Sequence, residues 1–442
     1  MIQIKPKVVF QIQCPRCNSD QTKGESLFFQ GIHILAESNC QKCGFEFYHT
    51  LPIGHDLLFP IQISKDGKES FFPPRGKEWL AEPLIRSLSQ KVNKNFQIEK
   101  QINRQVDQAI IVNCLDNCFG HIFSKVWNTY TLMENKPDWG VIAIIPERCK
   151  WLLPIDIAEV WSVSIELKDC VQTISGLDDF IKNQLNRFEK VSLSHVYTHL
   201  DHTRYVDMEK VLKIPRFDLG KFETSEPQIT FVLREDRFWL NSVLMDFLFK
   251  VSRKFNLKQL IYPVLLWRQK QLVNQTAKKI LKSLPDAQIK CTGLGASRTL
   301  IDQIADHRTD QILPETEIQW NVIYAKSHLV IGVHGSHMMI PSALAAGFIN
   351  IVPRYKIEHM VEDTVLPYSN RLLQFLGRFL DEFSSPDLVS KHAVSMIKGF
   401  EYVNRNVEQV PEGSLSSNEK LGIATQRNEA GTRNNFNASP SV

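Results

Sequence analysis

A chain of 442 residues, 43% of them hydrophobic, is too long for one ordinary core and should fold as two or three domains. Its formal charge of +4, from 52 basic and 48 acidic residues, makes no electrostatic case for a nucleic-acid partner. No apolar run reaches the ~20 residues of a membrane span. The opening MIQIKPKVVFQIQCP also lacks the apolar core and cleavage site of a secretory signal.

Four of the nine cysteines form two pairs, Cys14 with Cys17 in CPRC and Cys40 with Cys43 in CQKCG. Each pair lets two thiolates reach one ion from a tight turn, with Gly44 easing the second turn. Four thiolates close a tetrahedral site, so the spacing predicts a structural zinc ribbon over residues 1–70. Its basic residues Arg16, Lys23 and Lys42 are offset by Asp20, Glu25, Glu37 and Glu46, which leaves a protein partner as the ribbon's candidate contact. The other five cysteines are scattered, as expected of reduced thiols in the cytoplasm.

Residues 71–104 read as a proline-marked linker leading into a helix. A first α/β unit follows over 105–225. It has a buried strand at QAIIVNCL (108–115), a helix at 118–135, and strands at WGVIAIIPE, AEVWSVSIEL and KVSLSHVYT. The pattern restarts over 226–410 with the strand ITFVLRED (229–236) and a helix at 239–255. Next come a strand at 286–295, helices at 299–307 and 317–327, a strand at 328–336, FINIVP, and a closing helix at 387–407. Strands alternating with helices predict two Rossmann-type, doubly wound α/β halves with a cleft between them. The tail 411–442 is polar and is expected to be disordered.

The stretch HLVIGVHGSHMMIPSALAAG (328–347) turns from a buried strand into a helix through Gly332, His334, Gly335, Ser336 and His337. Small residues at a strand's carboxyl end let backbone N–H groups approach an anion, and Ser336 and the histidines can donate to it. Glycines required only by the turn would give the same string. Arg234 ends the first strand of the same half, with Arg237 behind it. Guanidiniums there suit a bidentate grip on a diphosphate, although Glu235 and Asp236 could simply pair with them.

The stretch 327–347 resembles the carboxyl-terminal motif of family 61 glycosyltransferases. NCLDNCFGHIFSKVW resembles that family's amino-terminal element, and ITFVLRED is similar to a strand-plus-arginine element of fucosyltransferase-like enzymes. The three segments fall in family order across residues 108–400, and the zinc ribbon lies outside the pattern. The resemblance implies a GT-B architecture, with a nucleotide-sugar donor in the carboxyl half and the acceptor at the amino half. It further implies inverting transfer without an essential catalytic metal. The acceptor would be a saccharide, a glycolipid or another lipid-linked glycan, or a cell-surface polymer precursor. The setting would be cytoplasmic, extending to peripheral association with the inner membrane.

Within that expectation Arg234 and the Gly335–Ser336 turn meet the leaving diphosphate, and His121 takes the acceptor proton, with Asp116 as its alternate. An N-cap aspartate and a histidine packed in a first helical turn would look the same. YTHLDHTRY (197–205) reads as a polar cleft loop in which His199 or Arg204 touches substrate. Another nucleotide-sugar reaction, such as epimerisation, and a non-catalytic zinc-ribbon binding protein on the same scaffold are the competing readings.

Overall fold

The computed structural model describes residues 1–8, 12–89, 96–199, 207–295, 300–360, 364–365 and 371–408. Asp201, His202, Arg204 and the tail 411–442 lie outside them.

Strand β1 (Ile2–Lys5) is followed by β2 (Thr22–Phe29), β3 (Ile34–Cys40), β4 (Glu46–Thr50), β5 (Gln62–Ser64) and β6 (Ser70–Phe71). The last five make an antiparallel meander in that order. Next come β7 (Ile98–Ile102), β8 (Gln108–Asn113), β9 (Gly140–Pro146), β10 (Glu159–Val163) and β11 (Lys190–Leu193). They form a sheet of order β1-β11-β8-β9-β10-β7, parallel in its four central strands and antiparallel at both edges. All seven residues of β9 are buried, as a parallel strand covered on both faces requires. By contrast β7, IEKQI, is mostly exposed and polar, which suits an edge.

The first strand departs from the expected boundaries. Rather than belonging to a ribbon of residues 1–70, β1 pairs with β11, with Ile2 opposite Leu193. One apolar core runs from the N-terminal meander through the first parallel sheet and on to Met338–Leu344 of the second half. The meander is therefore welded to the first half.

The second half contains β12 (Gln228–Leu233), β13 (Gln288–Gly293), β14 (Ile304–Asp306), β15 (Leu329–Val333), β16 (Gly347–Val352) and β17 (Gly377–Asp381). They are parallel throughout, in the order β14-β13-β12-β15-β16-β17. Counted from β12, this is the 3-2-1-4-5-6 order of a dinucleotide-type Rossmann sheet, which reverses direction between β12 and β15. In the first half β8, β9, β10 and β11 repeat the 3-2-1-4 part, with the reversal between β8 and β11. The fold is thus a pair of Rossmann-type halves with the GT-B layout, preceded by a β-module.

Three local expectations fail. Residues 304–306, read as part of a helix, form the edge strand β14. A 26-residue helix, Lys258–Ser283, fills a stretch to which no element was assigned. The closing helix is two helices, Pro386–Lys398 and Phe400–Glu408, parted at Gly399.

Candidate active site

The carboxyl ends of strands from both sheets meet around a cleft of about 580 Å³. Cys118 and Phe119 come from beyond β8, Arg148 from beyond β9, Arg234 and Arg237 from beyond β12, and Ser336 and His337 from beyond β15. Loops at a strand-order reversal splay apart and leave a crevice, which is why ligands bind there. Here both halves present their reversal points. Cys118 Sγ lies 3.9 Å from Ser336 Oγ, so the two walls nearly touch.

On the second half's wall, Arg234 is engaged by its neighbour Asp236 through two contacts of 2.9 and 3.2 Å. It lines the cleft already half-neutralised. Arg237 reaches the turn itself, donating from Nη1 to the His334 carbonyl at 3.1 Å. A Cβ on Gly335 would collide with that guanidinium, and one on Gly332 would meet Met338 Sδ at 2.5 Å. Close approach therefore demands both glycines. Ser336 and His337 line the cleft, and His337 Nε2 is a buried nitrogen without a hydrogen-bond partner. Burial, followed by the charges of Arg234 and Arg237, holds the His337 imidazole well below its usual pKa, so it is neutral.

Two expectations need correction on this wall. His334 is fully buried and turned inward, with Nε2 3.3 Å from the His359 carbonyl and Nδ1 3.3 Å from Asn350 Nδ2, and it does not line the cleft. The helix after the turn, Met339–Leu344, has only six residues, so its dipole is a weak anion trap. Positive charge comes instead from Arg148, Lys168, Arg234 and Arg237.

No family model matches the chain, and no curated protein matches it. Three solved structures are similar in part. ADP-heptose LPS heptosyltransferase II of E. coli is 11% identical at a TM-score of 0.36, covering 66% of this chain and 99% of its own. The family 9 glycosyl transferase of Veillonella parvula DSM 2008 is 10% identical at 0.40, covering 67% and 99%. The Gap123 glycosylation-associated protein complex of Streptococcus agalactiae is 10% identical at 0.24, covering 90% and 80%. None of the three is described as a family 61 enzyme. At such scores the likeness carries no weight, and the architecture rests on the strand orders themselves.

At the first half's reversal point, Asp116 and His121 are partners, but against expectation neither lines the cleft, which this segment reaches only through Asn117, Cys118 and Phe119. Asp116 Oδ1 lies 3.0 Å from His121 Nδ1, at the start of the helix Phe119–Asn135. Lys125, one turn further on, sits 2.9 Å from Asp116 Oδ2, and both side chains are about 2% exposed or less. Burial pushes the Asp116 carboxyl up, but the Lys125 ammonium and the His121 hydrogen bond outweigh it, and Asp116 stays ionised well below the usual range. A proton on Nδ1, donated to the ionised Asp116, would leave His121 Nε2 as the base. The ring is partly open to solvent, at 24% exposure.

A third group joins them. His55, from the turn Gly54–Leu57 of the N-terminal module, places Nε2 3.1 Å from His121 Nδ1. Burial lowers its pKa to about 3, so this imidazole is neutral. The His199 ring lies 5.3 Å from His121 and 6.0 Å from His55. His55, Asp116 and His121 are close enough to hold an ion. Lys125 already neutralises the single carboxylate, however, so a divalent cation would bring two uncompensated charges. The set is better suited to handling protons.

The four cysteines cluster as well. Sγ separations are 3.7 Å for Cys14–Cys43 and 3.6 Å for Cys17–Cys40. A tetrahedral ion with Zn–S bonds of ~2.3 Å needs edges of ~3.8 Å, so the donor set fits zinc. Both turns have the same form: the residue after the second cysteine is left-handed, Asn18 at φ 55° and Gly44 at φ 69°.

Sequence reasoning missed His55, Arg148 and Glu317. The first had a readable signal: Gly54-His55 and Gly120-His121 are matching pairs that meet in space. Glu317 lines the cleft from the helix Pro314–Tyr324. Its pKa is raised to about 7, chiefly by burial.

Proposed function

We propose that this chain is a glycosyltransferase that moves a sugar from a nucleoside diphosphate donor to a saccharide, a glycolipid or other lipid-linked glycan, or a cell-surface polymer acceptor. One observation carries the reading: the guanidinium-bearing reversal point of one Rossmann half shares a cleft with Asn117, Cys118 and Phe119 of the other half, the segment that lies between the paired Asp116 and His121. Arg237, Arg234 and Arg148 would hold the diphosphate, with Ser336 and the unpartnered His337 nitrogen completing its contacts. His121 would take the acceptor hydroxyl proton as that oxygen attacks the anomeric carbon. The bond from that carbon to the diphosphate oxygen breaks, and the nucleoside diphosphate leaves with the bond's electrons. A single displacement inverts the anomeric centre. The charge developing on the leaving group is met by fixed guanidiniums, which need no reorganisation during the step.

Binding of UDP, GDP and CDP, read by ligand-observed NMR on the zinc-loaded chain, tests the donor half. One nucleotide should bind, and Arg237→Ala should abolish the signal. A folded chain that binds none of them would overturn the transferase reading.

A second reading is favoured by Glu317 and His337, a carboxyl and an imidazole lining the same cleft. Such a pair could move protons on the donor sugar itself, as in nucleotide-sugar epimerisation. Incubating donor without acceptor separates the two: an epimer appears only under the second reading.

A further inference from the structure

The helices Val243–Lys254 and Lys258–Ser283 form a hairpin on the second half, anchored by a small core of Phe238, Leu240, Phe249 and Leu265. Its outer side breaks the usual pattern of a surface helix. Leu244 and Phe247 on the first helix, Phe255 and Leu257 in the joining turn, and Leu260 and Trp267 on the second are all exposed. Phe247 is 60% exposed, Leu260 72% and Trp267 54%. Scattered apolar residues on a surface need no explanation, but a run of them along one hairpin does.

Charge identifies the partner. Between Val243 and Lys270 there are six basic residues, Lys250, Arg253, Lys254, Lys258, Arg268 and Lys270, against one acidic residue. That residue, Asp246, is already paired with Lys250 at 2.7 Å. A second copy docking through a two-fold axis would press two cationic faces together. Large apolar side chains interleaved with lysine and arginine are instead the signature of an element lying in a lipid interface. Among the described residues no helix is long and apolar enough to cross a membrane, so such an element lies on the surface rather than spanning.

We infer that the hairpin 243–270 docks this protein on an anionic phospholipid surface, with Leu244, Phe247, Phe255 and Leu260 inserted and Lys254 and Lys258 against the headgroups. The hairpin is tied directly to the cleft, since Gln269 donates from Nε2 to the Arg234 carbonyl at 3.0 Å. Docking would therefore hold the cleft close to the bilayer. The inference stands without the transferase reading, because the surface would bind lipid whatever the cleft does.

The test is co-sedimentation of the full chain with vesicles of phosphatidylcholine alone or with about one third phosphatidylglycerol. The wild type should pellet with the anionic vesicles and stay in solution with the neutral ones. Leu244→Glu/Leu260→Glu and Lys254→Glu/Lys258→Glu should each weaken partition by roughly tenfold or more at unchanged melting temperature, since all four positions are exposed. Failure of the wild type to bind anionic vesicles would overturn the inference. So would a dimer in sedimentation equilibrium that Leu244→Glu/Leu260→Glu dissociates, because the face would then belong to a second copy.

Discussion

His55 Nε2 and His121 Nδ1 lie 3.1 Å apart, so a side chain from the antiparallel N-terminal module touches the residue at the first sheet's reversal point. This contact brings the module against the proposed base. His121→Ala should lower kcat by about 10²-fold or more, the usual worth of a positioned base. His55 acts through His121, so His55→Ala should lower kcat by about tenfold and leave KM for the donor unchanged. Steady-state kinetics with the matched donor checks both. An unchanged kcat in His55→Ala would reduce the contact to packing.

Asp116 and Lys125 form a buried ion pair at 2.9 Å, and Lys125 also donates to the Leu115 carbonyl at 2.7 Å. Removing one partner strands the other's charge, so Asp116→Asn and Lys125→Met should each cost about 3–5 kcal/mol in denaturant unfolding. The double variant should recover most of that loss, because two neutral side chains leave no orphaned charge. Activity should not return with it, since His121 would still lack the carboxylate that fixes its tautomer. Recovery of turnover along with stability would remove Asp116 from the mechanism.

The architecture was legible wherever burial on both faces left a continuous apolar run. QAIIVN, GVIAIIP and LVIGV, short apolar runs rich in β-branched residues, read as buried strands, and they anchor both sheets. Pairing between distant segments was not legible. Nothing in IQIK announces Leu193 as the partner of Ile2, because register depends on faces that sequence proximity does not encode. Leu300, Ile301 and Ile304 have helical spacing yet serve a strand and the turn before it, where all three pack on the second core. The helix Lys258–Ser283 was hidden by Pro263 near its start and by apolar residues on its outer face, which blur the periodicity. The tight turn at Gly332 and Gly335 was readable because close backbone approach restricts residue type, whereas the contact of Arg237 with that turn was not. Asp116 and His121 were seen as alternatives, because only geometry makes them a pair.

The cysteine cluster predicts one zinc per chain by metal analysis and loss of that zinc in Cys17→Ser. Because the meander shares its core with the first parallel sheet, metal loss should not stay local. The binding energy of such a site is folding energy, so chelation should lower the melting temperature of the whole N-terminal half. It should also lower turnover, since His55 is held by the same module. A chain that keeps full stability after stoichiometric metal removal would contradict a structural role for the ion.

Gly335 is the point where backbone and guanidinium come closest, and Arg237 donates to the carbonyl just before it at 3.1 Å. Gly335→Ala forces a methyl group into the Arg237 head, so either the arginine or the turn must move. Destabilisation of about 1–3 kcal/mol is expected, together with loss of nucleotide binding comparable to Arg237→Ala. A variant that melts normally and binds nucleotide as before would show that the turn and Arg237 do not form one clamp.

Glu317 ties the cleft to pH. Burial raises its pKa from 4.5 to about 7, against the opposing influence of the Arg148 and Arg234 charges. Burial, and to a lesser degree the Glu317 charge, raises the pKa values of nearby Cys149 and Tyr324. A raised carboxyl binds more protons folded than unfolded, so stability falls as pH rises from 4.5 to about 7 and stays low above that. At ~1.4 kcal/mol per unit the ceiling is about 3 kcal/mol, and partial exposure to solvent brings the expected penalty to ~1–2 kcal/mol. Glu317→Gln should therefore be more stable than wild type at pH 8 and equal to it at pH 4.5, measured by denaturant unfolding at the two values. A nucleoside diphosphate bound between the same arginines would repel an ionised Glu317. Wild-type affinity should then weaken as pH rises through 7 more than affinity in Glu317→Gln, a comparison that cancels the titration of the phosphate itself. Parallel pH profiles for the two proteins would mean that the carboxylate does not face the anion, and would move the diphosphate away from this wall of the cleft.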